Sequence, residues 1–452
     1  MIKRITAAII LVIIVASALS GCSEAIPSVV FSANGEQMAT LTTFDWGRVE
    51  LSEAGYASYV DVVINEAAAI LSELNEITVE QAKSTLSTEG YKIETVFDEN
   101  VYKSMSGGQS FVVDNMAAAV TDLNGKVLSI YSVSDEFNEY RNLALTDFQP
   151  CSAFKPLSVY APAIEKGVIE WSSMTVDSPV KKAGEDGMNR DWPRNASGMY
   201  TNEKMDVKTA IKESINTVAV KTLMSYGVKN SVNFLSENFG IDLGYEVQAI
   251  NSSGEDSVLD NIGLGYLANG VSAVDMAGYY QIFANGGVYT KPYTISRILD
   301  GAGKVIYEAS PEQRRIISAE TAAIMNLLLQ TVVENGGTGQ AAGNADKLIG
   351  GKTGTGENAK EGWNDNWFVG FTPEYTCAVW HSAKMTSNVA AVLFAEMTYG
   401  IETDENLLFP VCESIKQVAY CTESGKRIGD KCRSMEIGWF TENDVPEKCD
   451  EH

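Results

Sequence analysis

Ser152 and Lys155 stand three residues apart in a chain of 452, and together they could make a nucleophile. A serine hydroxyl alone is a poor one and needs a base within hydrogen-bond reach. If Ser152 opens a helix, Lys155 lies one turn along on the same face, where its amine could take the proton. A lysine at its reference pKa of about 10.4 is protonated and cannot do so. Burial or a second cation must favour its neutral form. Lys352 is available as that cation, in the single Lys-Thr-Gly of the chain (Lys352-Thr353-Gly354), and Ser214-Ile215-Asn216 lies between the two. None of these fragments is specific alone. Ser178-Pro179-Val180-Lys181 repeats the first spacing, and Ser32-Ala33-Asn34, Ser231-Val232-Asn233 and Ser236-Glu237-Asn238 repeat the second. Order and flanks discriminate among them.

In that order the three fragments are the serine-acylation motifs of penicillin-binding proteins and serine β-lactamases. The flanks narrow the resemblance. Gln149-Pro150-Cys151-Ser152-Ala153-Phe154-Lys155-Pro156 is similar to the Gln-Pro-Gly-Ser-x-Phe-Lys-Pro of class A (bifunctional) penicillin-binding proteins. Ile211–Asn216 resembles that family's second motif, and Phe283-Ala284-Asn285-Gly286-Gly287 a later landmark. Gly351–Thr355 followed by Asp365–Gly370 resembles the third motif and its next strand. The similarity runs from roughly Tyr56 to the C-terminus. It departs at Cys151, where the family usually has glycine, and in the expected lack of a glycosyltransferase domain, for which the N-terminal stretch is too short.

The resemblance implies a D,D-transpeptidase that takes no cofactor and no metal. Ser152 would be the nucleophile, Lys155 its base, Ser214 a proton relay and Lys352 the assisting cation. Asn216, Thr353, Gly354 and Thr355 would bind substrate, with the N–H groups of Ser152 and Thr355 forming the oxyanion hole. The implied partners are peptidoglycan stem peptides, β-lactams and a separate glycosyltransferase. A D,D-carboxypeptidase, a β-lactamase-like hydrolase and a penicillin-recognising sensor without turnover stay open as alternatives.

Other features bound the function. With 34 basic against 59 acidic residues the chain carries −25, which argues against a nucleic-acid partner. Its two histidines, His381 and His452, leave little basis for a Ser-His-Asp triad. Lys3 and Arg4 precede an apolar run, Ile5–Leu19, and then Leu19-Ser20-Gly21-Cys22. That is a secretory signal shorter than the ~20 residues of a membrane span. It resembles a lipobox, so Cys22 is expected to be lipidated and the protein held extracytoplasmically at the cell membrane. Of seven cysteines, Cys412, Cys421, Cys432 and Cys449 cluster near the C-terminus. An oxidising compartment permits disulfides there. Sequence does not choose among the three pairings, Cys421–Cys432 being the first choice, and the spacings and single terminal histidine argue against zinc.

The pattern predicts an α+β fold, a central antiparallel β-sheet covered by helices, with a small N-terminal linker region. Apolar residues at Val60, Val63, Ala67, Ile70, Leu71 and Leu74 have helical spacing, and Thr78 suits the cap of a second helix. Ala117–Asp122 and Lys126–Ser132 flank Asn124-Gly125, a hairpin signal. Residues from Phe154 to about Ser318 read as helical with loops, and Leu348 onward returns to strands before a closing helix at Val389–Met397. The expected divisions are 1–21 signal peptide, 22–109 tether and linker, 110–410 transpeptidase domain, and 411–452 Cys-containing tail.

Overall fold

The computed structural model describes residues 25–42, 49–107, 115–134, 141–185, 189–344, 347–358, 363–383, 389–404 and 406–451. Cys22 and the apolar run before it lie outside them. No helix among the described residues is long and apolar enough to cross a membrane. The chain separates into two compact units.

The first unit gathers the described residues up to Tyr56, Val63–Thr95 and Ile295–Ala309. Its six-stranded sheet runs Val305–Glu308, Ile295–Leu299, Lys92–Thr95, Ser28–Phe31, Gln37–Leu41, Glu50–Leu51. Ser28–Phe31 pairs parallel with Lys92–Thr95, and the other pairings are antiparallel. The helical spacing foreseen around Val60 is realised in Ala57–Asn75, with Val63, Ala67 and Leu71 fully buried. Thr78 caps the next helix, Val79–Leu86, in a reciprocal box: its hydroxyl accepts from Gln81 N–H and Gln81 Oε1 accepts from Thr78 N–H.

The second unit holds Ala57–Val62, Val96–Thr294 and Ser310 onward. Its five-stranded sheet is antiparallel throughout, in the order Gly350–Asn358, Trp363–Phe371, Tyr375–Ala383, Met116–Asp122, Val127–Val133. Alternation of side chains puts Met116, Ala118, Val120, Cys377 and Val379 on one face, where they pack with Val101 and Met105 from one helix and Leu393, Phe394 and Met397 from another. Those helices are Glu99–Gly107 and Ala390–Tyr399, the second being the closing helix read from sequence. On the opposite face lies the helix Ala273–Ala284, and Thr376 Oγ1 donates to Ala277 O across that contact at 2.6 Å. A sheet covered on both faces by helices is the α+β arrangement the sequence predicted.

The middle of the chain departs from the helical expectation. Between Phe154 and Ser318 it also carries the paired strands Met174–Val176 and Lys204–Asp206, and Val288–Thr290, whose partner is Gln313–Arg315. It supplies the hairpin Ile295–Leu299/Val305–Glu308 as well, which joins the first unit's sheet. These strands have three to five residues and little burial contrast, too short for a period-2 pattern to emerge. The 300–304 turn did carry a signal, because Asp300 Oδ1 accepts from the N–H groups of Ala302 and Lys304. Past the sheet, Ile415–Cys421 and Met435–Thr441 form a terminal antiparallel hairpin.

Candidate active site

Ser152 sits in a 3₁₀ turn, Cys151–Phe154, with chemistry as its cause. Lys155 N–H donates to Ser152 O, and the next residue is Pro156, which has no N–H to offer the longer α-helical bond. In a 3₁₀ turn residues i and i+3 eclipse, so Ser152 and Lys155 fall one above the other. A π turn follows over Pro156–Tyr160, closed by Ala161 N–H to Pro156 O, and then a short α-helix, Ala161–Glu165. The turn is held by its backbone. Cys151 N–H donates to Gly265 O at 3.0 Å, Tyr280 Oη donates to Ala153 O at 2.5 Å, and Trp367 Nε1 donates to Gln149 O at 2.9 Å. Gly265 has no alternative: a Cβ there would stand 2.1 Å from Cys151 O.

The second motif follows the helix Val207–Lys212, capped by Asp206, whose carboxylate accepts from Thr209 N–H at 2.7 Å. Ser214 then takes a left-handed conformation, φ +61°, which turns the chain into the helix Asn216–Tyr226. Ile215, at that helix's N-cap, has no side-chain cap to give. Asn195 supplies one from elsewhere, its Oδ1 accepting from the N–H groups of Asn216 and Thr217. Asn195 is held in turn by Asp177, which also accepts from Thr217 Oγ1 and Thr201 N–H. Burial of the Asp177 carboxyl opposes ionisation, but these hydrogen bonds outweigh it and hold its pKa below the usual value. Asp177 and Asn195 were not found from sequence. Asp177 directly precedes Ser178-Pro179-Val180-Lys181, and nothing in its pattern marks it as a support for Ser214 and Asn216. Ser178 itself accepts from Lys221 Nζ, away from these groups.

Lys155 is fully buried and its ammonium nitrogen reaches the second motif directly. It donates to Asn216 Oδ1 at 2.6 Å and to Ser214 O at 2.9 Å, with Ser214 Oγ at 3.5 Å. Burial pushes its pKa well below the ordinary lysine value, and the neighbouring Lys352 pushes it further the same way. Lys352 is fully buried too, and burial lowers its own pKa to about 7.

Lys352 belongs to Gly350–Asn358, an edge strand of the five-stranded sheet. Lys352 and Gly354 share a face, and that face lies against the Ser152 turn, since a Cβ on Gly354 would meet Pro150 O at 2.5 Å and Ala153 N at 3.0 Å. Thr353 points the other way and donates to the Thr338 hydroxyl at 2.8 Å, so its hydroxyl is engaged away from the lysines. Thr355 is exposed on the same edge, opposite Asn366. Cys151 is buried with φ +52°, a left-handed conformation that its usual glycine would adopt freely. Burial first, and the Asp365 carboxylate second, push its thiol well above the ordinary value, so it is a packing group and a poor nucleophile. His381 is buried in the sheet, its Nε2 accepting from Val389 N–H, and burial lowers its pKa. Ser231 lies on the helix Val228–Phe239 and donates to Ser158 O, a structural contact.

Comparison with known proteins bears on the family and the fold. Residues 116–404 match the penicillin binding protein transpeptidase domain. Penicillin-binding protein 1A of Clostridium acetobutylicum is 29% identical over 350 residues, covering 70% of this chain and 40% of the relative. Penicillin-binding protein 1F of Bacillus subtilis is 31% identical over 336 residues, covering 72% and 43%. The chain thus spans less than half the length of these curated relatives. Among solved structures, the D,D-transpeptidase domain of a peptidoglycan glycosyltransferase from Eggerthella lenta superposes with a TM-score of 0.62 at 18% identity, covering 83% of this chain and 98% of that one. Penicillin-binding protein 1A from Haemophilus influenzae gives 0.65 at 16% identity, over 94% and 99%. At such identities the structural likeness speaks for the fold.

Proposed function

The chain belongs to the penicillin-binding protein transpeptidase family, and from that premise we propose that it is a serine-type D,D-transpeptidase acting on peptidoglycan stem peptides. The observation that carries the reading is Lys155: a fully buried amine, bonded to both residues of the second motif, with a second buried lysine beside it to disfavour its charge. Neutral Lys155 accepts the Ser152 proton as Oγ attacks the carbonyl of the penultimate D-alanine. The N–H groups of Ser152 and Thr355 hold the oxyanion. Collapse of the tetrahedral adduct breaks the peptide bond, and Ser214 relays a proton to the departing D-alanine amine. A stem-peptide amine then attacks the ester and releases Ser152. Asn216, Gly354 and Thr355 line the substrate, and Lys352 with Thr355 faces its terminal carboxylate, the Thr353 hydroxyl being engaged by Thr338 instead. Extended along the edge strand, the peptide gains main-chain hydrogen bonds. β-Lactams would acylate the same serine. In this reading residues 110–410 form the catalytic domain, Cys22 carries a lipid that holds it at the outer face of the membrane, and a separate glycosyltransferase supplies the glycan strands.

The test joins labelling to turnover. Fluorescent penicillin should give one adduct, located at Ser152 by mass spectrometry and absent in Ser152→Ala. A stem-peptide mimic with an amine acceptor should release D-alanine and form the cross-linked product. An adduct that persists in Ser152→Ala, or sits on Cys151, overturns the assignment. Acylation without D-alanine release would favour a penicillin sensor instead.

A further inference from the structure

Cys421, Cys432 and Cys449 come from three separate stretches of the tail, yet their sulfur atoms all lie within 4.8 Å of one another. Cys421 ends one strand of the terminal hairpin, Cys432 lies in the loop that follows, and Cys449 lies in the segment that returns after the second strand. The return is fixed by main-chain bonds: Cys449 N–H donates to Arg427 O at 2.7 Å, Arg427 N–H to Glu447 O at 2.9 Å, and Cys421 N–H to Lys426 O at 2.8 Å. Cys412 is the fourth cysteine of the tail, and it stands outside the cluster with its sulfur against Ser414 Oγ.

An odd number of clustered thiols suits a metal better than a disulfide. One bridge would use two sulfurs and leave a third beside it, whereas a tetrahedral ion uses all three. A zinc ion at about 2.3 Å from each thiolate separates them by about 3.8 Å, so closure needs less than about an ångström of movement. The sulfurs also have the outer partners that such ligands use. Gly429 N–H donates to Cys432 Sγ at 3.2 Å and the Ser424 hydroxyl to Cys449 Sγ at 3.3 Å. In a chain of net charge −25, the stretch from Cys421 to Arg433 carries four cations (Lys426, Arg427, Lys431, Arg433) against Glu423 and Asp430. That balance suits three thiolates.

We propose that Cys421, Cys432 and Cys449 form a structural site for a thiophilic divalent cation, zinc by ligand type, that staples the terminal hairpin to its returning segment. Three protein sulfurs leave one tetrahedral position for a further ligand, and the carboxylates that follow Cys449, Asp450 and Glu451, are paired with Lys426. The site revises the expectation of no metal and of a Cys421–Cys432 disulfide.

The full chain is purified with zinc present and free thiols blocked on release. Elemental analysis should give one zinc per chain, and a mercurial titration should free it over three thiol equivalents. Cobalt(II) in its place should show a thiolate-to-cobalt charge-transfer band. Cys421→Ser, Cys432→Ser and Cys449→Ser should each lose most of the zinc, while Cys412→Ser keeps it. The wild-type zinc content stands as a test even where a variant fails to fold. Less than about a tenth of an equivalent in the wild type, a mapped disulfide between any two of the three, or equal loss in Cys412→Ser would each overturn the site.

Discussion

Two buried lysines, each with its pKa lowered first by burial, set the pH behaviour of the proposed acylation, one as a neutral base and the other as a cation. Lys155 must have lost its proton to serve as base, so the rate rises with pH through its lowered pKa. Lys352 must keep its proton to attract a carboxylate, and its value of about 7 puts a falling limb near neutrality. The second-order rate of penicillin acylation reports the free enzyme's groups. It should therefore be bell-shaped, with the descending limb near pH 7. Lys352→Arg keeps a cation throughout, so in that variant the descending limb should vanish up to about pH 9. In Lys352→Ala the rate should fall and the rising limb should move to higher pH. Because burial outranks Lys352 as a cause at Lys155, that movement should be modest. An unmoved descending limb in Lys352→Arg would remove Lys352 from the chemistry.

Cys151 offers a second residue-scale check. At φ +52° a non-glycine residue carries roughly 1–2 kcal/mol of backbone strain. Cys151→Gly should therefore melt above Cys151→Ala by the equivalent of about 1 kcal/mol, although alanine keeps more buried surface. The reverse order would show that the turn is unstrained. Sequence made the anomaly visible, since cysteine stood where glycine suits a tight turn, but the sign of φ needed the backbone. Lys155 and Lys352 were legible through the order and flanks of the three motifs, and the two histidines argued only against a Ser-His-Asp triad. Asp177 and Asn195 were not, because a support acts through hydrogen bonds to distant backbone, which leaves no local pattern.

At the scale of elements, the site depends on how closely the edge strand approaches the 3₁₀ turn. The atoms facing Gly354 belong to the backbone of Pro150 and Ala153, so no rotamer change can make room for a methyl group. Gly354→Ala should displace the strand from Ser152 and slow acylation by roughly 10²-fold, the cost of about an ångström of misplacement. Its melting temperature should change far less. A rate within threefold of wild type would mean that the contact does not position the nucleophile. Long elements read well from sequence, as with the helix Ala57–Asn75 and the hairpin across Asn124-Gly125. The strands Met174–Val176 and Val288–Thr290 did not, since their pairing partners are remote in sequence and only tertiary contact selects them.

At the scale of the molecule, the tail reaches the helix that leads to the second motif. Tyr420 is fully buried, and its hydroxyl donates to Asp206 Oδ2 at 2.5 Å, the same carboxylate that caps the helix leading to Ser214. Glu436 Oε2 lies 3.2 Å from that hydroxyl and pairs with Lys208 on the same helix. Residue Tyr420 also adjoins Cys421. A hydrogen bond to a charged group contributes about 1.5–3 kcal/mol, so Tyr420→Phe should lower the melting temperature by several degrees. It should also slow penicillin acylation, because the Val207–Lys212 helix would lose a restraint on Asp206. Loss of stability with an unchanged acylation rate would confine the tail to a passive role. The sequence placed the tail outside the catalytic part of the chain, and only the fold shows it bonded to the cap of the helix that leads to the second motif, some two hundred positions earlier.

The edge strand has one more consequence, for how the protein behaves in concentrated solution. A strand at the end of a sheet, as Gly350–Asn358 is among the described residues, invites extended chains to pair with it, other copies of the same protein included. Gly350–Asn358 has four glycines in nine residues, so few side chains stand guard. Its protection is Lys352, whose buried charge makes pairing costly for any segment that brings no anion. That protection fades as pH rises past about 7 and Lys352 loses its proton. The opening that admits substrate therefore discriminates against self-association below neutrality and relaxes above it, where storage at high concentration would favour clumping.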